Sequence, residues 1–164
     1  MQVSVIGHTR AVRNNMGFML FLRIEGMAKV QIIMAATLDG FLPRKEEALM
    51  QWVRKDTRYG FPYWQEEATV LICPQYGVMD LMGAARRYDE ECICLATVHD
   101  GKSAEYACGL FRYNLVDEIV LYLLPLSYGK GMPLTADFHF SRWRLRSCKP
   151  FHNGVCRLVY ARDR

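Results

Sequence analysis

The chain has 164 residues, a formal net charge of +4 and 51% hydrophobic residues. This composition supports a buried core and excludes a disordered or low-complexity chain, and the length favours one domain. No apolar stretch approaches the roughly 18 residues of a membrane-spanning helix. We therefore expect a soluble globular domain.

The first residues are set apart from the pattern that follows. A short apolar run at 16–22 comes after two arginines, as in a signal peptide, but Arg23 and Glu25 follow at once and no small-residue cleavage site is evident. Residues 1–28 are interpreted as an N-terminal extension of uncertain role, and 29–164 as the domain.

Strands and helices alternate along this domain. Runs of mainly apolar residues predict strands at Val30–Ala36, Thr69–Cys73, Cys92–Val98 and Asp117–Leu124. Apolar spacing and breaker residues predict helices over Glu46–Tyr59 and Val78–Arg87, and one after His99–Ser103 that ends near Arg112. A hairpin is predicted from Arg142–Ser147 and Val155–Ala161 around His152-Asn-Gly154. This order indicates an α/β domain with an antiparallel end.

The C-terminal segment carries the excess positive charge. Arg142, Arg144 and Arg146 alternate with Trp143 and Leu145, as on a strand with one solvated face. A contact with phosphate groups or nucleic acid is the alternative interpretation.

The cysteines do not follow a disulfide or zinc pattern. There are six in a chain long enough to form a core without disulfides, and no Cys-x-x-Cys or Cys/His cluster is present. Five of them lie inside apolar runs: Cys73, Cys92, Cys94, Cys108 and Cys156. The set is interpreted as buried thiols of a cytoplasmic protein, with no metal site.

The first candidate site follows the first predicted strand. Thr37-Leu38-Asp39-Gly40 lies at the carboxyl end of that strand, where ligands of open α/β sheets gather. Asp39 can orient a ring or take part in proton transfer, and Gly40 lets the backbone turn close to a ligand. The alternative is an ordinary Asp-Gly turn.

The second candidate site begins the helix that follows the third strand. Ala96–Ser103 fits a loose phosphate-loop pattern, but it has a single glycine, and no apolar strand ends in an aspartate placed for magnesium. Gly101, Lys102 and Ser103 lie at a helix N-terminus, where backbone amides favour an anion. Binding of a phosphate and simple capping by Ser103 are both open interpretations.

Three segments together resemble one family. Ala35–Gly40, then Leu115-Val-Asp-Glu118, and finally Pro125 with Gly129-Lys-Gly-Met-Pro-Leu134 resemble the reductase domain of the bifunctional riboflavin-biosynthesis deaminase-reductase. This domain belongs to the dihydrofolate reductase-like superfamily, and the resemblance covers roughly residues 29–161.

The resemblance implies a mixed sheet with flanking helices and a C-terminal antiparallel hairpin. It further implies a homodimer that reduces a pyrimidine- or pterin-like heterocycle with NADPH, similar to 5-amino-6-(5-phosphoribosylamino)uracil reductase. Asp39 would approach the substrate as the catalytic residue. The implied cofactor-binding residues are Ala35, Thr37, Leu42, Gly101, Lys102 and Ser103.

Two segments depart from the family pattern. Asp100-Gly101 stands where the family has a Gly-Gly pair, and Cys73–Gly77 stands where it has a Gly-Arg-x-Thr segment near the cofactor's 2′-phosphate. Both departures fall at positions where the resemblance implies contact with the cofactor rather than with the substrate. The alternative interpretation is therefore a non-catalytic dimeric relative with a degenerate cofactor site.

Overall fold

A six-stranded mixed sheet organises the residues that the structure, a computed structural model, describes: 28–85, 91–134 and 141–163. The strands are β1 (Lys29–Thr37), β2 (Val70–Ile72), β3 (Ile93–Thr97), β4 (Glu118–Leu124), β5 (Trp143–Pro150) and β6 (Cys156–Arg162). The helices are α1 (Ala48–Lys55), α2 (Phe61–Glu67), α3 (Val78–Ala85) and α4 (Gly101–Arg112). The expectation for residues 1–27 lies outside the described residues.

The sheet has the order β2-β3-β1-β4-β6-β5. β1 is parallel to both β3 and β4, and β2 is parallel to β3, whereas β6 is antiparallel to β4 and to β5. This arrangement confirms the predicted α/β class, the mixed sheet and the C-terminal antiparallel hairpin. It also brings the carboxyl ends of β1, β3 and β4 to one edge of the sheet.

The central strand β1 is buried on both faces, as its mainly apolar run predicts. Because side chains alternate along a strand, Ile32 and Met34 pack on the face that carries α4. Ile33 and Ala35 pack on the opposite face, among residues of α1 and α2. The core therefore consists of two apolar layers, one on each side of the sheet.

The predicted helix over Glu46–Tyr59 is wrong in its extent, because two helices occupy this region. α1 ends at Lys55, and the carboxylate of its C-cap residue Asp56 accepts hydrogen bonds from the backbone N–H groups of Arg58 and Tyr59. This aspartate turn competes with continuation of the helix. A second helix, α2, then begins after Gly60 with a proline in its first turn, where proline is tolerated.

The hairpin strand β5 is longer than predicted and runs to Pro150. Its arginines at 144 and 146 are exposed, as the solvated-strand interpretation expects, but Leu145 is 49% exposed. The pairing of β5 with β6 shifts register between Leu145 and Ser147. Since a bulge of this kind changes which face a side chain occupies, strict alternation does not hold along β5.

A buried tyrosine joins the turn between α1 and α2 to the centre of the sheet. The hydroxyl of Tyr122 accepts a hydrogen bond of 2.9 Å from Trp64 Nε1 and donates one to the carbonyl oxygen of Tyr59. Tyr122 is fully buried, and burial raises the pKa of its phenol, which stays protonated. This hydroxyl fixes the position of α2 against β4.

Tyr122→Phe is expected to lower the free energy of unfolding by about 2 kcal/mol, because it leaves a buried N–H and a carbonyl without this partner. Urea denaturation measures the change. The control is Tyr113→Phe at a phenol that is 57% exposed, where the change is expected to stay within about 0.5 kcal/mol. Equal stability of the two variants would contradict the prediction.

Candidate functional site

The candidate site lies at the carboxyl ends of β1, β3 and β4. The loop after β1 contacts the loop 125–134 that follows β4, and α4 begins beside them after β3. Ligands of open α/β sheets bind at this kind of edge. The sequence correctly predicted that Thr37–Gly40 follows the carboxyl end of the first strand; its role as a ligand site stays a prediction.

Asp39 is bound through both carboxylate oxygens. Its Oδ1 accepts a hydrogen bond of 2.6 Å from Thr37 Oγ1, and its Oδ2 accepts the backbone N–H groups of Tyr128 at 2.9 Å and Gly129 at 2.7 Å. Gly40 follows with a φ of 83°, in the left-handed region that favours glycine. The aspartate thus connects the end of β1 to a loop about ninety residues further along the chain.

These hydrogen bonds keep Asp39 ionised. The bond from Thr37 and the two backbone N–H groups lower the pKa of the Asp39 carboxyl below its ordinary value. A carboxylate with a lowered pKa is a poor proton donor near neutral pH. The geometry therefore supports a positioning role for Asp39, and its predicted proximity to a substrate stays a prediction.

Further backbone contacts fasten the same two loops. An isolated bridge joins Phe41 to Pro133. Three backbone hydrogen bonds add to it: Leu38 N to Leu126 O, Leu42 N to Met132 O and Leu134 N to Gly40 O. Leu42, a predicted cofactor contact, therefore lies against the glycine-containing loop and packs partly on the core.

An apolar cavity of about 400 Å³ opens beside these loops on the α4 side of the sheet. Thr37 and Gly40 lie at its end; Thr37 is 1% exposed, and its hydroxyl donates to Asp39 and accepts the backbone N–H of Phe41. The other lining residues are Met34, Ala36, Leu38, Ile119, Leu121, Leu123, Leu134, Trp143 and Tyr160. Such a volume with a largely apolar lining suits a planar ring.

Of the residues given a catalytic or cofactor-binding role, the cavity includes Thr37; Leu38 and Gly40 of the same segment also line it, together with several residues that the sequence did not identify. Thr37 lines it, whereas Ala35 packs in the core on the opposite face of the sheet. Because side chains alternate along β1, the sequence places Ala35 and Ala36 on opposite faces of the sheet. Only the position of α4 in the structure shows which of these faces holds the cavity. Tyr160 reaches it through the pairing of β6 with β4, and Trp143 through the pairing of β5 with β6, which no local pattern shows.

The N-terminus of α4 is closed by a capping box. Asp100 Oδ1 accepts the backbone N–H of Ser103 at 2.8 Å, and Ser103 Oγ accepts the backbone N–H of Asp100 at 3.0 Å. Ser103 Oγ also lies 2.8 Å from Asp100 Oδ1, and Ser103 is 4% exposed. Of the two open interpretations, capping is confirmed.

The cap places a negative charge where a phosphate would bind. The backbone N–H and the hydroxyl of Ser103 lower the pKa of the Asp100 carboxyl, which is therefore ionised at neutral pH. A helix N-terminus attracts anions through its free amides and its dipole. The Asp100 carboxylate accepts one of these amides, that of Ser103, and lies at the positive end of the dipole. The exposed side chain of Lys102 carries a positive charge, opposite in sign to the Asp100 carboxylate, at the same helix end.

With NADPH as a probe that carries phosphate groups, Asp100→Asn is expected to lower the dissociation constant about fivefold relative to wild type, since one unit charge near 4 Å contributes about 1 kcal/mol in water. Asparagine retains the cap, so the free energy of unfolding is expected to change by less than about 0.5 kcal/mol. Fluorescence titration measures the affinity. Glu105→Gln, on the exposed side of α4, removes the same charge without touching the cap. Equal affinities for the two variants would contradict the prediction.

The second departure from the family pattern forms a turn before α3. Tyr76 N–H donates to the Cys73 carbonyl oxygen, and Gly77 N–H donates to Asp80 Oδ2 at 3.2 Å. The turn therefore presents a carboxylate and no arginine.

Within 28–85, 91–134 and 141–163, no group of three His, Cys, Asp or Glu side chains could hold a metal ion.

The interpretation of the cysteines as a buried set is wrong for Cys148, which is exposed on the edge strand β5. Cys94 is fully buried in β3, and the others are partly exposed. Local apolar context predicts the burial of Cys94 well, but it does not predict which strand lies at the edge of the sheet.

Among the described residues, no helix is long and apolar enough to cross a membrane.

Two solved structures share this arrangement. A protein from Shewanella sp. PV-4, described as a riboflavin biosynthesis protein, aligns with a TM-score of 0.59 and 17% identity over 83% of this chain and 99% of its own. RibD from Acinetobacter baumannii aligns with a TM-score of 0.50 and 11% identity over 84% of this chain, which spans 59% of the RibD chain.

These likenesses show the fold, an α/β domain with a mixed sheet and a C-terminal antiparallel hairpin, as expected from the sequence. No family model matches the sequence, and no curated protein has significant similarity to it. The fold is therefore established by structural comparison and not by sequence comparison. The identity to these structures is 17% or less, so few side chains are shared with them.

Proposed function

We propose that the protein is a reductase that transfers a hydride from NADPH to a planar heterocycle of the pyrimidine or pterin kind. The supporting observation is the apolar cavity at the carboxyl end of β1, with Thr37 and Gly40 at its end. It lies in a fold shared with a protein described as a riboflavin biosynthesis protein and with RibD. A flat ring can pack against the aliphatic side chains there.

In this proposal the chain supplies position rather than proton transfer. Thr37 holds the Asp39 carboxylate, and Asp39 holds the loop at 128–129 that borders the site. Leu42 supports that loop from below through its backbone bond to Met132. Ala35 contributes only through core packing behind the cavity. The hydride chemistry itself would belong to the cofactor.

The two ends of the site differ in how well they suit NADPH. The apolar cavity suits a ring. The N-terminus of α4 does not suit a phosphate as it stands, since the Asp100 carboxylate occupies the amide of Ser103 and the serine hydroxyl is bonded within the cap. Gly101 and Lys102 could meet a phosphate only if Asp100 turned away.

This mismatch supports a second candidate function, a non-catalytic relative that retains the fold. Asp100 gives such a protein a stable helix end in place of a phosphate site. Both candidates are proposed as cytoplasmic homodimers, on the basis of the family resemblance. Only the first requires binding of NADPH.

Titration of the full chain with NADPH, followed by fluorescence and with NADH as control, separates the two candidates. A dissociation constant in the micromolar range, about −8 kcal/mol, supports the reductase if Lys102→Ala weakens it. Ala36→Leu provides the test of the cavity, because Ala36 lines it and a larger side chain fills it. Absence of binding up to millimolar NADPH would contradict the reductase and support the non-catalytic relative.

A further inference from the structure

A pair of thiols on the C-terminal hairpin takes no part in the proposed reduction. Cys148 in β5 is exposed and Cys156 in β6 is partly exposed. Their Sγ atoms are 3.5 Å apart. The register pairs Cys148 with Leu158 and Pro150 with Cys156, so the two cysteines are diagonal neighbours on one face of the hairpin.

This face of the hairpin is the one that carries the cavity. Cys156 pairs with Leu123 of β4, and Leu158 pairs with Leu121. Both leucines line the cavity. Since directly paired residues of antiparallel strands point to the same side of a sheet, the two thiols continue the cavity face toward the edge of the sheet.

We propose that Cys148 and Cys156 form a redox modification site that closes to a disulfide on reaction with a small-molecule disulfide of the glutathione type. The sulfur atoms need to approach by about 1.5 Å to reach the bond length of a disulfide. The hairpin already directs the two side chains toward each other, and Cys148 is open to an incoming reagent.

The reaction proceeds by two thiol–disulfide exchanges. The deprotonated thiol of Cys148 attacks one sulfur of glutathione disulfide, whose S–S bond breaks, and one glutathione thiolate leaves. Cys156 then gives up its proton and attacks Cys148 Sγ, which expels the second glutathione. Two protein thiols are oxidised to one disulfide, and one glutathione disulfide is reduced to two thiols.

The surroundings of the two cysteines set the order of attack. Partial burial, and then the hydrogen bond with Cys148, raise the pKa of the Cys156 thiol. The exposed Cys148 is therefore the thiol that meets the reagent first, and Cys156 resolves the mixed disulfide. Cys94 provides a contrast within the same chain, because burial raises the pKa of its thiol to about 12.

Peptide mapping of the full chain tests the proposal. The reduced protein is equilibrated with glutathione disulfide, its free thiols are blocked with N-ethylmaleimide, and it is digested with trypsin. Cleavage after Arg146 and Arg157 releases Ser147–Arg157 with both cysteines, because Lys149 precedes a proline. We expect this peptide unblocked and two hydrogen atoms lighter than the reduced peptide, while Cys94 becomes blocked only after denaturation.

Recovery of the peptide with both thiols blocked, at a glutathione disulfide concentration that oxidises a free dithiol, would overturn the proposal. A wild-type peptide that carries glutathione on Cys148 without further reaction would also overturn it, since the second thiol would then be out of reach. Neither result depends on NADPH binding, so the proposal and the proposed function fail separately.

Serine variants test the order of attack. Cys156→Ser removes the resolving thiol, so the mixed disulfide on Cys148 is expected to accumulate about 10-fold above wild type. Cys148→Ser alters an exposed side chain, leaves the fold intact, and is expected to leave Cys156 largely unmodified. Equal accumulation of glutathione on Cys148 in wild type and Cys156→Ser would contradict the mechanism.

Discussion

Asp39→Ala is expected to increase the amide hydrogen exchange of Tyr128 and Gly129 on the order of 10- to 100-fold. Both N–H groups donate to the Asp39 carboxylate, at 2.9 and 2.7 Å. Hydrogen bonds to a charged acceptor are stronger than neutral ones, and their loss lets a loop open locally while the sheet stays folded. Mass spectrometry of exchanged peptides that cover the loop measures the effect.

The matched control for Asp39→Ala is Glu66→Ala, which truncates an exposed carboxylate on α2. Exchange at the loop is expected to remain at the wild-type rate in this variant. If Asp39→Ala also leaves the loop protected, then Asp39 does not hold it, and a direct role toward a ligand becomes the better explanation of the Thr-Leu-Asp-Gly segment.

The same loop is expected to lose protection in acid. Because the pKa of Asp39 is lowered in the folded chain, its stabilising contribution is fully present above the ordinary carboxyl pKa of 3.8 and is lost as the pH falls through the folded value. After correction for the intrinsic pH dependence of exchange, the difference between wild type and Asp39→Ala should vanish below that value. A difference that persists there would contradict this assignment.

Gly60→Ala is expected to destabilise the fold by about 3 kcal/mol or more. A Cβ at residue 60 would lie 2.7 Å from the carbonyl oxygen of Asp56 and closer still to that of Val53. These are backbone atoms at the end of α1, so no rotamer change relieves the contact and the helix itself must move. Urea denaturation, followed by circular dichroism, measures the loss.

Gly109→Ala is the matched control, since it makes the same substitution inside α4. A Cβ there would lie 3.5 Å from Val78 Cγ2, which is ordinary contact. Alanine has a higher helix propensity than glycine, so this variant is expected to gain about 0.5 to 1 kcal/mol. If both variants changed stability in the same direction, the close approach of α2 to the end of α1 would be refuted.

The central strand and the position of Thr37–Gly40 were predictable from the sequence because both depend on local pattern. The run from 30 to 36, apolar except for Gln31, is typical of a buried strand, and Thr37–Gly40 must then lie at its carboxyl end. The hairpin around Gly154, with a φ of 87°, follows from the Asn-Gly pair in the same way. The turn at Asp56 was missed because an aspartate fits equally in a helix and in a turn.

What the tertiary structure alone decided are contacts between distant parts of the chain. Asp39 meets Gly129 because β1 and β4 are neighbours, and Cys148 meets Cys156 because of their register in the hairpin. The sequence around Asp100 is compatible both with a capped helix N-terminus and with an anion-binding one. The hydrogen bond between Asp100 and the Ser103 N–H in the structure shows that the helix is capped. Hydrophobic period and turn chemistry act over a few residues, whereas strand order and register are fixed by packing of the whole sheet.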